Sequence, residues 1–275
     1  MASTYTGTPA FTNSITIPDD GDLAAAATVN NPTRSEADMG LFLLQAIGLA
    51  PESTSDIYIN SINGTTVNIG PISSIVVNEN GNYKFISTVG ASVVGVPQVE
   101  GGPAQFAANT WYYIYAYSNA GVLNFIIRTV PPDSWKMFAL GSDVQRYIGC
   151  FKTDGAGPPA IIPFFMTRGK YSYLNVQSVG GGNATVESPI TISAYVPPTS
   201  RQAVLQYEYT NSALPGSFRL LSRAGTTGFL IPTRVGPATT DSGTLEMAVD
   251  DTQSIRYLVS AGTINITINV LGFYE

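Results

Sequence analysis

Hydrophobic and polar residues alternate with a period of two over much of the chain beyond residue 50. Asp56-Ile57-Tyr58-Ile59-Asn60 alternates and is followed by Asn63-Gly64, a strand entering a tight hairpin turn. Ile75-Val76-Val77 and Tyr83-Lys84-Phe85-Ile86 flank Asn80-Gly81. Trp111 to Ser118 and Val122 to Val130 flank Asn119-Ala120-Gly121. Both patterns predict further hairpins. Trp111, Tyr113, Tyr115 and Tyr117 share one face of their strand, and Tyr112, Ile114 and Ala116 share the other. Both faces are apolar, so both are expected to be covered.

Past the glycine-rich stretch Val179 to Asn183, strands are expected at Ile190 to Tyr195, Val204 to Tyr209, Ser217 to Leu221, Gly228 to Pro232, Ser254 to Ser260 and Thr263 to Tyr274. Short strands at regular spacing suggest a sandwich. The last strand alternates strictly: Ile264, Ile266, Ile268 and Val270 face one way, and Thr263, Asn265, Thr267 and Asn269 the other.

The first 50 residues read differently. Phe11 to Pro18 is a short β-like run that stops at Asp19-Asp20-Gly21-Asp22. Asn31-Pro32, or Thr33 with Glu36 three residues on, can start a helix. Met39, Phe42, Leu43, Ala46 and Ile47 then recur at helical spacing, and Gly48 and Pro51 end it. Leu41 and Leu44 lie outside that stripe, so the helix is apolar on more than one face and calls for burial between several surfaces. The expected fold is mainly β: a short N-terminal helical attachment segment and two β-sandwich-like regions. The expected boundaries are 1–50 for that segment, 51–175 for a first β-domain, 176–185 for a Gly-rich spacer and 186–275 for a C-terminal β-sandwich.

Composition narrows the chemistry more than it defines it. The chain has 275 residues, 12% of them charged, with a net charge of −6 and no histidine. Ser-His-Asp and Cys-His catalysis and His-ligated zinc are therefore excluded. The acidic balance argues against a nucleic-acid partner, and no apolar run is long enough for membrane insertion. A secretory signal is not expected, because the N-terminus lacks a basic region and an apolar segment. Cys150 is the single cysteine and reads as a buried structural thiol. Gly169-Lys170-Tyr171 is not a phosphate loop, and Gly180-Gly181-Gly182 opens no helix, so the nucleotide signatures fail. Asp19, Asp20 and Asp22, and the pair Asp250 and Asp251, are turn-like and carry no specific two-acid signal. No catalytic residue, cofactor or metal site is expected, and the chain is read as a non-enzyme. The aromatic row Trp111, Tyr113, Tyr115, Tyr117 and the polar row Thr263, Asn265, Thr267, Asn269 are candidate ligand faces. Core packing is the preferred reading of the first, and a solvated sheet face of the second.

Three segments carry a resemblance. Phe11-Thr12-Asn13-Ser14-Ile15-Thr16-Ile17-Pro18-Asp19-Asp20-Gly21-Asp22-Leu23 resembles a phrase near the N-termini of tailed-bacteriophage structural proteins. The course from Trp111-Tyr112-Tyr113-Ile114-Tyr115 through Pro131-Pro132 and Tyr147-Ile148-Gly149 to Pro163-Phe164-Phe165 resembles phage fibre and appendage proteins. So do Val196-Pro197-Pro198-Thr199-Ser200 and Val270-Leu271-Gly272-Phe273-Tyr274. The resemblance implies a virion structural protein: a tail fibre, head fibre, collar spike or capsid decoration. It implies a homotrimer that contacts other virion proteins and a host-surface glycan. Its attachment and subunit contacts would fall on Ile15, Ile17, Met39, Phe42, Leu43 and Ile47. The alternatives are a free-standing glycan-binding lectin or adhesin, and a polysaccharide depolymerase.

Overall fold

A strand with a period of two buries one face only if a second layer covers it, and this chain supplies such layers twice. The computed structural model describes residues 57–275, apart from 73–74, 80–81, 134–137, 143, 168, 213–215, 223–227, 234–238 and 262. The expected N-terminal helix and the attachment residues Ile15, Ile17, Met39, Phe42, Leu43 and Ile47 lie outside the described residues.

The strands are β1 (Ile59–Ser61), β2 (Thr66–Ile69), β3 (Ile75–Glu79), β4 (Asn82–Ile86), β5 (Ser92–Gly95), β6 (Trp111–Asn119), β7 (Val122–Arg128) and β8 (Arg146–Lys152). They continue with β9 (Phe164–Thr167), β10 (Lys170–Gly182), β11 (Ser188–Thr191), β12 (Gln202–Asn211) and β13 (Gly216–Leu221). The last are β14 (Phe229–Thr233), β15 (Thr239–Ala248), β16 (Ser254–Val259) and β17 (Ile264–Tyr274). The fold is mainly β, with antiparallel sheets in sandwich-like arrangements. Among the described residues the helical element is one 3-10 turn, Val96–Gln98.

One sheet runs through the whole described region, in the order β15-β12-β17-β10-β9-β1-β2-β5. Two smaller sheets cover its inner face at different places. The sheet β7-β6-β8 lies over the β17, β10, β9 and β1 section: the Trp111 ring meets Phe273 edge-on at 5.8 Å, and Gly149 faces Tyr171, Ile59 and Met166. The sheet β11-β16-β13-β14 covers the other end, where Phe218 packs on Tyr207 and Tyr209 at 5.2 and 5.5 Å. The hairpin of β3 and β4 is a separate two-stranded sheet whose Ile75 and Val77 join the same core. The two sandwich-like halves thus share one sheet and one continuous core.

That sharing alters the expected organisation. The stretch 176–185, expected as a spacer, is strand as far as Gly182, paired with β17 through Gln177↔Val270 to Gly182↔Ile266. The glycines are there because the strand is extended with φ of +139°, +158° and +139° at Gly180, Gly181 and Gly182, a region side-chain-bearing residues rarely adopt. The covering sheet also comes close, since the Tyr257 hydroxyl donates to the Gly181 carbonyl at 3.1 Å. The strand expected at Ile190 to Tyr195 stops at Thr191. There the Tyr195 and Val196 N–H groups turn back onto the Ile192 carbonyl. The strict alternation of β17 holds from Ile264 to Val270 and then changes phase. Val270 pairs with Leu205 but Gly272 with Val204, so Leu271 is an extra residue and Phe273 becomes the buried one. A bulge of this kind moves a strand's next inward side chain by one position.

Candidate functional site

Among the described residues, chemistry-bearing side chains meet in a buried cluster and along a cleft, besides the surface group of Lys170, Glu246 and Tyr274. The first is buried. Tyr113 and Tyr115 on β6 face Cys150 and Tyr147 on β8 through their ladder pairs. The hydroxyl of Tyr171 accepts the Cys150 backbone N–H at 2.5 Å, and the Cys150 Sγ lies 3.7 Å from Glu275 Oε1. Thr199 donates to that same oxygen at 2.8 Å. Burial first, and the neighbouring Glu275 second, push the Cys150 thiol well above its ordinary range. Burial likewise raises Tyr113, Tyr147 and Tyr171. A thiol attacks as the thiolate, and this one is held neutral with 0% of its surface exposed. The cluster is structural. Cys150→Ser is expected to lose about 1 to 3 kcal/mol, because a hydroxyl replaces a packed thiol in a buried site. Thermal denaturation measures the loss. In the parent protein, an aromatic disulfide reagent should react with Cys150 only after denaturant is added.

The second place is a cleft of about 580 Å³ beside the end of β8. Four β10 residues, Tyr173 to Val176, lie between the pairs Ser172↔Gly272 and Gln177↔Val270, against the single Leu271 on β17, so the chain there leaves the ladder with β17. Asn175, Val176 and Gln177 of this irregular stretch form one wall, and Ala194 and Tyr195 contribute another. Opposite them stand Lys152 and the loop that follows β8. Thr153 is buried and its hydroxyl donates to the Ala107 carbonyl at 2.6 Å. Asp154 is equally committed: its Oδ1 accepts the N–H groups of Ala156 at 3.1 Å and Ala160 at 2.9 Å. Asn109, at φ +53°, donates its N–H to the Asp154 carbonyl at 2.8 Å. The loops are therefore tied down, and the cleft is preformed.

Lys152 is half-buried, with Nζ 5.3 Å from the centre of the Trp111 ring. Partial burial lowers its affinity for the proton. Among the described residues no carboxylate forms an ion pair with it. Trp111 is held in turn: its ring edge packs on Phe273 and its indole N–H donates to the Ser193 carbonyl at 3.2 Å.

The aromatic row therefore belongs to the packing. Tyr113 and Tyr115 are buried, the Tyr115 hydroxyl donates to the Val130 carbonyl at 2.7 Å, and Tyr117 is half-buried. On the opposite face Tyr112 stacks on Phe151 at 5.3 Å and meets Phe106 edge-on, so both faces are covered. In the polar row, Thr263 and Asn265 are exposed and Thr267 is half-buried. Asn269 is only 5% exposed, and its amide donates to Gln206 Oε1 at 3.4 Å. It is satisfied by its neighbour strand. The cleft residues Asn109, Lys152, Asp154, Asn175 and Gln177 have no spacing that singles them out in the sequence, because three separate segments deliver them. Among the described residues, no group of three His, Cys, Asp or Glu side chains lies close enough to hold a metal ion. No described helix is long and apolar enough to cross a membrane.

No family model and no curated protein matches the chain. Among solved structures, the exo-β-1,3-galactanase of Phanerochaete chrysosporium with galactose is similar over 78% of this chain and 68% of its own. The identity is 13% and the TM-score 0.24. The structure of infectious bursal disease virus Gx strain is similar over 80% of this chain and 62% of its own, at 12% identity and a TM-score of 0.14. Likenesses at this level carry no argument about fold or activity.

Proposed function

We propose that this chain is a non-enzymatic structural component of a tailed-bacteriophage virion, a homotrimeric fibre, spike or decoration anchored through residues 1–50. The observation that carries this reading is the phrase Phe11 to Leu23 followed by the over-apolar pattern Met39 to Ile47. An isolated helix of that length is marginal in water and gains its stability from packing, so its extra apolar positions suit contact with sister subunits or the particle. The mainly β body with few charges is in keeping with a virion part. So are the adjacent apolar residues Phe229 and Leu230, 54% and 57% exposed on β14 at a sheet edge. The two point to opposite faces of that strand, and an exposed apolar edge strand invites a subunit contact.

The test adds the purified chain to particles that lack it. The full chain is expected to attach and, by light scattering, to assemble as three 29.1 kDa subunits. Replacing both Phe42 and Leu43 with Asp puts two charges into the proposed contact and should abolish attachment. A chain lacking residues 1–50 should melt cooperatively as a β protein and fail to attach. Attachment of the truncated chain at the intact level, or a stable monomer on particles, would overturn the assignment. The second reading is a free-standing glycan-binding protein. The preformed polar cleft favours it, and sugar binding by a monomer with no affinity for particles would establish it.

A further inference from the structure

The geometry points to the cleft beside Lys152 as a binding site for a carboxylate-bearing saccharide, with the Lys152 ammonium receiving the carboxylate and the amides of Asn109 and Asn175 receiving ring hydroxyls. Four observations meet here. The cleft, at about 580 Å³, falls within the size of small-ligand sites. Its one lysine has a partly desolvated ammonium whose neighbour is a π-face, with no ion pair among the described residues. A ligand carboxylate would supply the missing partner, and hydrogen bonds to charged groups are the stronger ones. Among the described residues the side-chain amides of the exposed Asn109 and Asn175 have no hydrogen-bond partner, whereas Gln177 donates to the Asn175 carbonyl at 2.7 Å. Ile162, Pro163 and Val176 add an apolar strip to the lining. Amides beside an apolar strip suit the two-faced surface of a pyranose.

The same features disfavour other occupants. A simple phosphate or sulfate site gathers several cations or backbone N–H groups. This cleft has one lysine, and the carboxylate of Asp154 lies in the same lining. That carboxylate would repel a small, highly charged anion. Its second oxygen, the one not bonded to the Ala156 and Ala160 N–H groups, can instead accept a sugar hydroxyl while the single ligand carboxylate sits at Lys152. The sugar would not stack on Trp111, whose face is taken by Lys152 and whose N–H is bound to Ser193.

This inference does not rest on the virion assignment. Its test uses the purified full chain without particles, so either reading can fail alone. A panel of uronate- and sialate-bearing oligosaccharides is titrated, each beside its carboxyl-reduced counterpart, with sodium sulfate as a separate arm. At least one acidic sugar is expected to bind, and its carboxyl-reduced form about ten-fold more weakly, the size of one charge-assisted hydrogen bond. Lys152→Met should cause a similar loss for the acidic sugar and little for the reduced one. Asn175→Asp, on the exposed β10 stretch, adds a repelling charge without touching the core. It should weaken the acidic sugar selectively even if the lysine variant folds poorly. The proposal is overturned if no acidic sugar binds better than its reduced form, if both variants keep full affinity, or if sulfate binds as tightly as the sugar.

Discussion

Gly272→Ala is expected to destabilise the protein by about 3 kcal/mol or more, beyond the usual range for overpacking, and to lower the melting midpoint by roughly 10 °C for a body of this size. A Cβ at this position would overlap the carbonyl oxygen of Tyr171 and come within 2.9 Å of its carbonyl carbon. Those are backbone atoms of the adjacent strand, so no rotamer change relieves the clash. The position follows the extra residue Leu271, where β17 is held between β10 and β12. Moving one strand away would break pairing on the other side. Gly90→Ala is the matched control, since its Cβ would meet nothing within 4 Å and the change should stay within about 0.5 kcal/mol. Denaturant titration of the two variants gives the difference. Equal stabilities would show that β10 and β17 do not approach as described.

Tyr171 carries the second large effect. Its ring stacks on Phe273 at 4.4 Å and on Phe164 at 5.6 Å, and it is fully buried. Tyr171→Ala should cost about 3 to 5 kcal/mol, as for other large aromatic truncations in a core. Tyr171→Phe keeps the rings stacked and removes only the hydroxyl that accepts the Cys150 N–H. It leaves a buried donor unsatisfied, at about 1 to 3 kcal/mol. Chemical denaturation of both variants separates packing from the hydrogen bond. A phenylalanine variant as stable as the parent would mean that the Cys150 N–H finds another acceptor.

The hairpins show how far local chemistry reaches. Asn63-Gly64 announces its turn: Gly64 takes φ +73°, and the Asn63 side chain accepts the N–H groups of Thr65 and Thr66. β6 and β7 are joined by Ala120 and Gly121, at φ +51° and +80°, a two-residue loop whose twist matches the strands it links. These turns need nothing beyond their own residues. β15 is different. Its first half, Thr239 to Gly243, contains Asp, Ser and Gly and carries no strand signal, although Thr244 to Ala248 alternates. It is a strand because β12 offers ten consecutive partners along the sheet edge. β10 is the same case in a sharper form, since its three glycines read as a hinge to any local rule.

The sequence by itself determined the class of fold. Period-two burial, turn pairs and aromatic strands such as Trp111 to Asn119 act over a few residues, so their outcome is written in neighbouring letters. It also determined that Cys150 would be buried and that histidine chemistry is absent. Only the tertiary structure decided that the two β-regions share one eight-stranded sheet, because that depends on β10 pairing with both β9 and β17. The core placement of Tyr113 and Tyr115 was already expected, but the tertiary structure alone decided which layer covers them and that Lys152 remains at a cleft with Asn109 and Asn175. Alternation says that two residues share a face; it does not say which layer covers that face or where the cover ends. That boundary is set by the packing of distant strands, and in this protein the candidate site lies along it.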